Sequence, residues 1–202
     1  MSDISELLQR LGVMALAENR QLAGTAALQP VHIDVLRYLA RCNRYSNTPA
    51  AVGQFLNTTK GTVSQSVKVL EREKFVSKLA DAQDGRVVRL RLLRKGVRLL
   101  EQLDNESTIQ AAVERLGDSE RAALGDSLKS LLRHAQQLND SRSFGVCKTC
   151  RFFRQLGGDQ FQCGITEEPL SAEDACKICV EHAASVSGTS GKTGNRSPLA
   201  TR

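Results

Sequence analysis

Between Pro49 and Leu92 the hydrophobic repeat changes from helical to alternating, and no other feature narrows the possible folds as much. Thr48 followed by Pro49 is an N-cap with proline in the first turn, opening a short helix to Leu56. Asn57 and Thr58 make a tight turn. Thr59 then caps another helix, in which Val63, Val67 and Leu70 face inward. Two short helices joined by so brief a turn are a helix-turn-helix. After Lys74 the period falls to two. Phe75 to Ala80 and Val87 to Leu92 read as strands joined through the hairpin signal Asp84-Gly85. In the second strand Val88, Leu90 and Leu92 alternate with Arg89 and Arg91, so one face is apolar and the other cationic. A β-wing follows the helix pair.

Helical patterns flank this unit. From Asp3 to about Gln21, apolar residues recur at three- and four-residue steps (Ile4, Leu7, Leu8, Leu11, Met14). After a break near Gly24, Pro30 opens a helix whose expected buried stripe is Val31, Val35, Leu36 and Leu39. Arg94 to about Asp140 is helical again, through Leu99, Leu100 and Leu103. After a break at Gly117-Asp118, Ser119 gives a modest start signal and Leu124, Leu128, Leu131 and Leu132 continue the repeat. The expected fold class is mainly α with a small β-wing: a winged helix-turn-helix, a helical dimerisation region and a small cysteine-rich metal module.

Charge is distributed unevenly. Lys60 to Arg98 holds eleven basic and four acidic residues, while the whole chain carries a net charge of only +6. The rest is therefore slightly acidic, and the positive field belongs to one segment, which favours a polyanionic partner. No stretch approaches the roughly 20 apolar residues of a membrane span, and the N-terminal residues lack a secretory pattern. A cytoplasmic, reducing location is the expectation.

In such a compartment clustered cysteines bind metal more often than they form disulfides. Cys147, Cys150, Cys163, Cys176 and Cys179 follow the spacing C-x2-C-x12-C-x12-C-x2-C, with His182 a further step on. The two sulfurs of a C-x-x-C turn grip one soft ion together. Phe161 to Cys163 reads as a strand ending at a ligand. Ser171 to Asp174 resembles a capping box, placing Cys176, Cys179 and His182 on one short helix. The expected ligands are Cys147, Cys150, Cys163 and Cys179, with Cys176 or His182 in reserve; His182 taken alone reads as a surface residue. Zinc is the expected ion because a module of about 40 residues with few apolar groups needs a staple. An iron–sulfur cluster is the alternative. Cys42 lies apart in a helical pattern and reads as a small buried residue.

The stretch from about Leu28 to Gln102 resembles the MarR family of winged-helix transcriptional regulators, and the flanking helices extend the likeness to about residue 140. Leu56 to Glu71 (LNTTKGTVSQSVKVLE) looks like the family's recognition helix with its cap, and Asp81 to Arg86 (DAQDGR) like its D-x-R-D-x-R wing. Val87 to Gly96 also fits. Gln83 stands where the first wing arginine is usual, and Lys74 where a glycine normally ends the recognition helix. A left-handed backbone at Lys74 would be strained. The resemblance implies a homodimer built on the first and last helices, acting as a repressor, with small molecules bound between those helices and the DNA-binding lobe.

The expected organisation is a dimerisation helix (1–28), the winged helix (29–93), dimerisation helices (94–140), the cysteine module (144–183) and a disordered tail (184–202). In a winged helix the recognition helix enters the major groove. Its exposed set would be Lys60, Thr62, Ser64, Gln65 and Lys68, with Gln65 suited to adenine. Arg86 is placed for the minor groove, and Arg89 and Arg91 for phosphates. The partner is then a pseudo-palindromic duplex read by a two-fold dimer. A thiol redox-sensing regulator and a metal-stabilised interaction adaptor with weak DNA binding are alternative readings. An enzyme is not expected, because no Ser/His/Asp set, phosphate-binding glycine loop or paired carboxylates can be identified.

Overall fold

The computed structural model describes residues 3–82, 84–138 and 144–184. Gln83, residues 139–143 of the expected linker and the expected disordered tail from residue 185 lie outside the described residues.

Helix α1 (Ile4–Thr25) runs past Gly24 and turns at Ala27, whose φ is 53°. Helix α2 (Pro30–Arg41) starts at its proline, and the Gln29 N–H donates to His32 Nδ1 at 3.1 Å. Its buried face is wider than a single stripe. Val31 is only half-buried, while Ile33 and Tyr38 join Val35, Leu36 and Leu39 inside. The reason is position: α1, α3, α4, α5 and a wing strand all pack against α2.

Helices α3 (Pro49–Phe55) and α4 (Lys60–Arg72) form the helix-turn-helix. The hydroxyls of Thr48 and Thr59 accept the N–H groups of Ala51 and Thr62, each at 3.2 Å, which satisfies otherwise unpaired helix donors. Asn57 takes the left-handed turn position, φ 49°. At the end of α4, the Phe75 N–H returns to the Leu70 carbonyl (2.8 Å) and the Lys74 N–H to that of Glu71 (3.0 Å). This is a Schellman ending with a lysine, φ 58°, where glycine is favoured.

Strands β1 (Val76–Ala80) and β2 (Val88–Leu92) pair antiparallel, Lys78 opposite Leu90. The Leu90 N–H also donates to the Asn47 carbonyl at 2.7 Å, tying the wing to the loop before α3. Helix α5 (Arg94–Glu106) crosses close beneath the wing, where a Cβ on Gly96 would stand 2.6 Å from Leu92 Cδ1 and 2.9 Å from the Phe75 carbonyl oxygen.

The helical pattern from Arg94 divides once more than expected. Ser107 ends α5 and caps α6 (Thr108–Glu114), accepting from the Gln110 N–H at 3.1 Å. Glu18 of α1 accepts the Ser107 hydroxyl (2.9 Å) and the Thr108 N–H (3.0 Å), so a carboxylate sits at the N-terminus of α6. Helix α7 (Asp118–Leu138) follows, and its leucines Leu124, Leu128, Leu131 and Leu132 remain exposed, as do Leu7, Leu11 and Met14 of α1. No helix among the described residues is long and apolar enough to cross a membrane.

The cysteine module comprises β3 (Gly145–Val146), β4 (Phe153–Gly157), β5 (Gln160–Cys163), β6 (Pro169–Leu170), α8 (Ala172–Ala175) and β7 (Ile178–Cys179). Strands β4, β5 and β6 form one antiparallel sheet, and β3 pairs with β7. Here the expectation of one helix through Cys176, Cys179 and His182 fails. Ser171 does cap α8, accepting from the Asp174 N–H at 3.0 Å, but the helix stops at Ala175. Extended partners then take over: Val146 pairs with Ile178, and Cys42 forms a parallel bridge to the same residue. Gly145 belongs to β3, and any side chain there would meet the His182 ring at 2.8 Å.

The module is no separate appendage. Val180 enters the core formed by Ile33, Leu36, Val52, Val67 and Leu70. Phe144 stacks on Phe55 (centroids 4.5 Å apart), which in turn stacks on Tyr38 (4.7 Å). Cys42 is buried as expected, although at the end of α2 rather than inside it.

Candidate functional site

Helix α4 buries Val63, Ser66, Val67 and Leu70 and leaves Lys60, Thr62, Ser64, Gln65 and Lys68 exposed on its other side. The 3.6-residue period dictates that division, because the core-facing stripe fixes which residues remain free for a groove. Thr62 also contacts the capping hydroxyl of Thr59 at 3.0 Å. Beside α4 a groove of about 930 Å³ runs past Ser64 and Lys60 to Lys78 and Val88 of the wing, with Val180 and Glu181 of the module at its edge.

The three wing arginines differ. The Arg86 side chain is 92% exposed, oriented at the tip by the Asp84 carboxylate at 3.0 Å. Arg91 is exposed on β2. Arg89 departs from the phosphate-contacting role expected of it. Its Nε pairs with Asp81 at 2.6 Å, and Nη1 donates to the carbonyls of Arg44 (3.0 Å) and Tyr45 (3.1 Å) and to Asn47 Oδ1 (3.2 Å). A guanidinium committed to these acceptors braces the wing against loop 43–47.

Cys147, Cys150, Cys163 and Cys179 line one small cavity of about 50 Å³, walled by Phe152, Phe153 and Ile165. These are the four expected ligands, although Cys179 reaches the cavity from strand β7 and not from a helix. Cys150 receives the Ala183 N–H at 3.4 Å. Burial raises the Cys163 thiol, but N–H donors from Thr166 and Ile165 and the Thr166 hydroxyl outweigh it, so the net shift is downward. Burial pushes the Cys179 thiol up, against donors from the Glu181 backbone and the Asn43 and Ser46 side chains. Burial pushes Cys147 up to about 12, helped by the neighbouring sulfurs of Cys179, Cys163 and Cys150. As the side chains stand, no group of three or more His, Cys, Asp or Glu among the described residues could hold a metal ion.

The reserve positions lie elsewhere. Cys176 is exposed, with Lys148 Nζ 3.7 Å from its sulfur. His182 is buried, contrary to its reading as a surface residue; Nε2 lies 2.9 Å from the Thr149 hydroxyl, and burial lowers its pKa.

Sequence reasoning missed the residues that seat the module. The Asn43 N–H donates to the Ile178 carbonyl (2.9 Å), Ser46 Oγ accepts the Val180 N–H (3.1 Å), and Gln54 Nε2 donates to the Val180 carbonyl (3.0 Å). Arg44 pairs with Glu168 at 3.2 Å, and the Tyr45 hydroxyl donates to the same carboxylate at 2.9 Å. No periodicity or spacing marks these positions.

The recognition helix, its cap and the paired wing strands together make a winged helix. Residues 28–87 match the model of the MarR family. The MarR-type fold recurs in solved structures. A MarR transcriptional regulator from Methanosarcina mazei Go1 is 18% identical, with 67% of this chain and 97% of that one covered at a TM-score of 0.56. MepR of S. aureus, solved as a MepR–DNA complex, is 23% identical over 66% of this chain and 99% of that one, TM-score 0.53. FabT of Streptococcus pneumoniae, in complex with DNA, is 25% identical over 67% and 96%, TM-score 0.53. Each aligns over nearly its whole length, so about a third of this chain has no counterpart in them. No curated protein is similar enough to match.

Proposed function

We propose that this protein is a cytoplasmic transcriptional regulator, a repressor, that binds duplex DNA as a homodimer and holds zinc in its thiol pocket. The observation that carries the DNA reading is the joint exposure of Lys60, Thr62, Ser64, Gln65 and Lys68 on α4 and of Arg86 at the wing tip. Helix α4 would lie in the major groove and Arg86 in the adjacent minor groove. Two relatives in fold were solved on DNA, which supports the same use of this surface. Occupying a promoter in this way blocks transcription.

The dimer reading rests on the apolar faces of α1 and α7, where Leu7, Leu11, Leu128 and Leu132 lie exposed on the single chain. A second copy would cover them. The two recognition helices would then read half-sites about one helical turn apart. A cavity of about 460 Å³ between α2, α5 and α6, lined by Leu100 and Ile109, by Arg37 and Arg41 and by Glu101 and Asp104, is where a small effector would bind.

The thiol pocket fits a soft four-coordinate cation by its chemistry. Cys147, Cys150, Cys163 and Cys179 all line one cavity, and the Ala183 N–H already donates to the Cys150 sulfur, a partner that a coordinated thiolate keeps. Coordination requires the thiols to rotate inward and release their protons to solvent.

The test is fluorescence anisotropy with duplexes from the region upstream of the protein's own coding sequence and from random sequence. The reading expects the specific duplex to bind at least ~10³-fold more tightly. Metal analysis of protein purified without oxygen checks the zinc: an iron content with visible colour replaces zinc by a cluster.

A further inference from the structure

Loop 43–47, between α2 and α3, is gripped from two sides. On the module side, Asn43 and Ser46 hold the backbone of Ile178 and Val180, the residues on either side of Cys179. Arg44 reaches Glu168 and the Pro169 carbonyl, and its N–H reaches Asp174. On the wing side, Arg89 donates to Arg44, Tyr45 and Asn47 while pairing with Asp81. Tyr38 fixes the middle, its hydroxyl donating to the Ser46 carbonyl at 2.7 Å. Tyr45 and Glu181 each line both the thiol cavity and the groove beside the recognition helix. The thiol cavity therefore abuts the face proposed to read DNA.

We propose that binding of a divalent soft cation by Cys147, Cys150, Cys163 and Cys179 raises DNA affinity by seating loop 43–47 and, through Arg89, the outer part of the wing. This rests on the metal reading above and adds what the metal controls. Strand β7 is the transmitting element. Besides its contacts with loop 43–47, it pairs with β3 over two residues and bridges Cys42 through Ile178, while Val180 just beyond it is bonded to Gln54. A cation tying Cys179 to Cys147, Cys150 and Cys163 fixes β7 to the rest of the module, so Ile178 and Val180 present a firm edge to Asn43 and Ser46. Without the cation that edge loosens, and Arg89 loses ordered acceptors in the loop. The step is an exchange of protons for a cation: thiols that bind give protons to solvent, and release of the ion returns them. No electron is transferred.

The full chain is compared as purified, after stripping with a chelator, and after re-addition of zinc. Zinc content, DNA affinity by anisotropy and the far-ultraviolet helical signal are followed together. About one zinc per chain is expected, with a loss of about tenfold in affinity on stripping, full recovery with zinc and an unchanged helical signal. The double variant Arg44→Ala/Tyr45→Phe removes contacts of the loop with Glu168 and keeps all four sulfurs. It is expected to retain zinc but to bind DNA at the stripped level whether or not zinc is present. Zinc that binds and can be removed with less than about a twofold change in affinity overturns the coupling and leaves the metal reading standing. Absence of bound zinc overturns both. If stripping also erases the helical signal, the double variant decides: wild-type affinity in its zinc-loaded form overturns the proposal.

Discussion

Arg89 and Asp81 form a 2.6 Å ion pair beside the turn of the wing, and the same guanidinium holds the carbonyls of Arg44 and Tyr45. One side chain thus joins the wing, the loop before the helix-turn-helix and, through that loop, the cysteine module. Arg89→Met should lower stability by about 1–3 kcal/mol, because partly buried acceptors lose charge-assisted partners. Arg89→Lys should restore little of this, since an ammonium cannot span the same acceptors. Thermal melts of both variants check the first point, and wild-type stability in Arg89→Lys would contradict the second.

The recognition helix and the wing tip predict different signatures on DNA. Gln65→Ala should cost ~1–3 kcal/mol, concentrated at one base position. Arg86→Ala should weaken specific and random duplexes alike and lower the salt slope by about one. Titrations against a panel of single-base variants separate the two. Equal loss on specific and random DNA for Gln65→Ala would remove it from base reading.

Lys74 carries a left-handed backbone at the end of α4 with its side chain exposed. A glycine there removes the Cβ strain but enlarges the freedom of the unfolded chain, so the two effects partly offset. Lys74→Gly should stabilise the fold by about 0.5–1 kcal/mol and raise Tm by about 2–4 °C. A fall in Tm would mean that the lysine side chain contributes more than its backbone strain costs.

His32 gives the stability a pH dependence of known sign. Burial holds its pKa below the usual 6.5, and its Nδ1 accepts the Gln29 N–H, which a protonated ring could not do. The unfolded chain therefore takes up the proton more readily. The stabilisation is complete above pH 6.5 and is lost as the pH falls from there towards the lower folded-state pKa. Melts between pH 7.5 and pH 5 should show this decline, and His32→Asn should flatten it; an unchanged slope in the variant would contradict the assignment.

Much of the winged helix was legible because periodicity reports which face of an element is buried. The caps at Thr48 and Thr59, the inward set Val63, Val67 and Leu70, and the strand pair all follow from local chemistry. The cysteine cluster was legible from spacing, but spacing could not separate Cys179, which lines the cavity, from Cys176, because the helix expected to carry both does not form. The contacts of loop 43–47 with the module were not, because they depend on groups brought together across more than 120 residues, such as Ser46 with Val180 and Arg44 with Glu168. The same long-range pairing turned the expected helix after Ser171 into β7, an extended partner for β3 and Cys42 overriding a local helix signal. Arg89 and Arg91 look alike in sequence, yet only Arg89 finds inward acceptors.

The salt dependence of duplex binding tests the central claim most directly. A dimer presenting Lys60, Lys68, Arg86 and Arg91 from each subunit should show log K falling linearly with log salt, with a slope of about −4 or steeper. Each removed contact should lessen that slope. Well-folded protein with no affinity for duplex DNA at low ionic strength, or with binding indifferent to salt, would contradict the account.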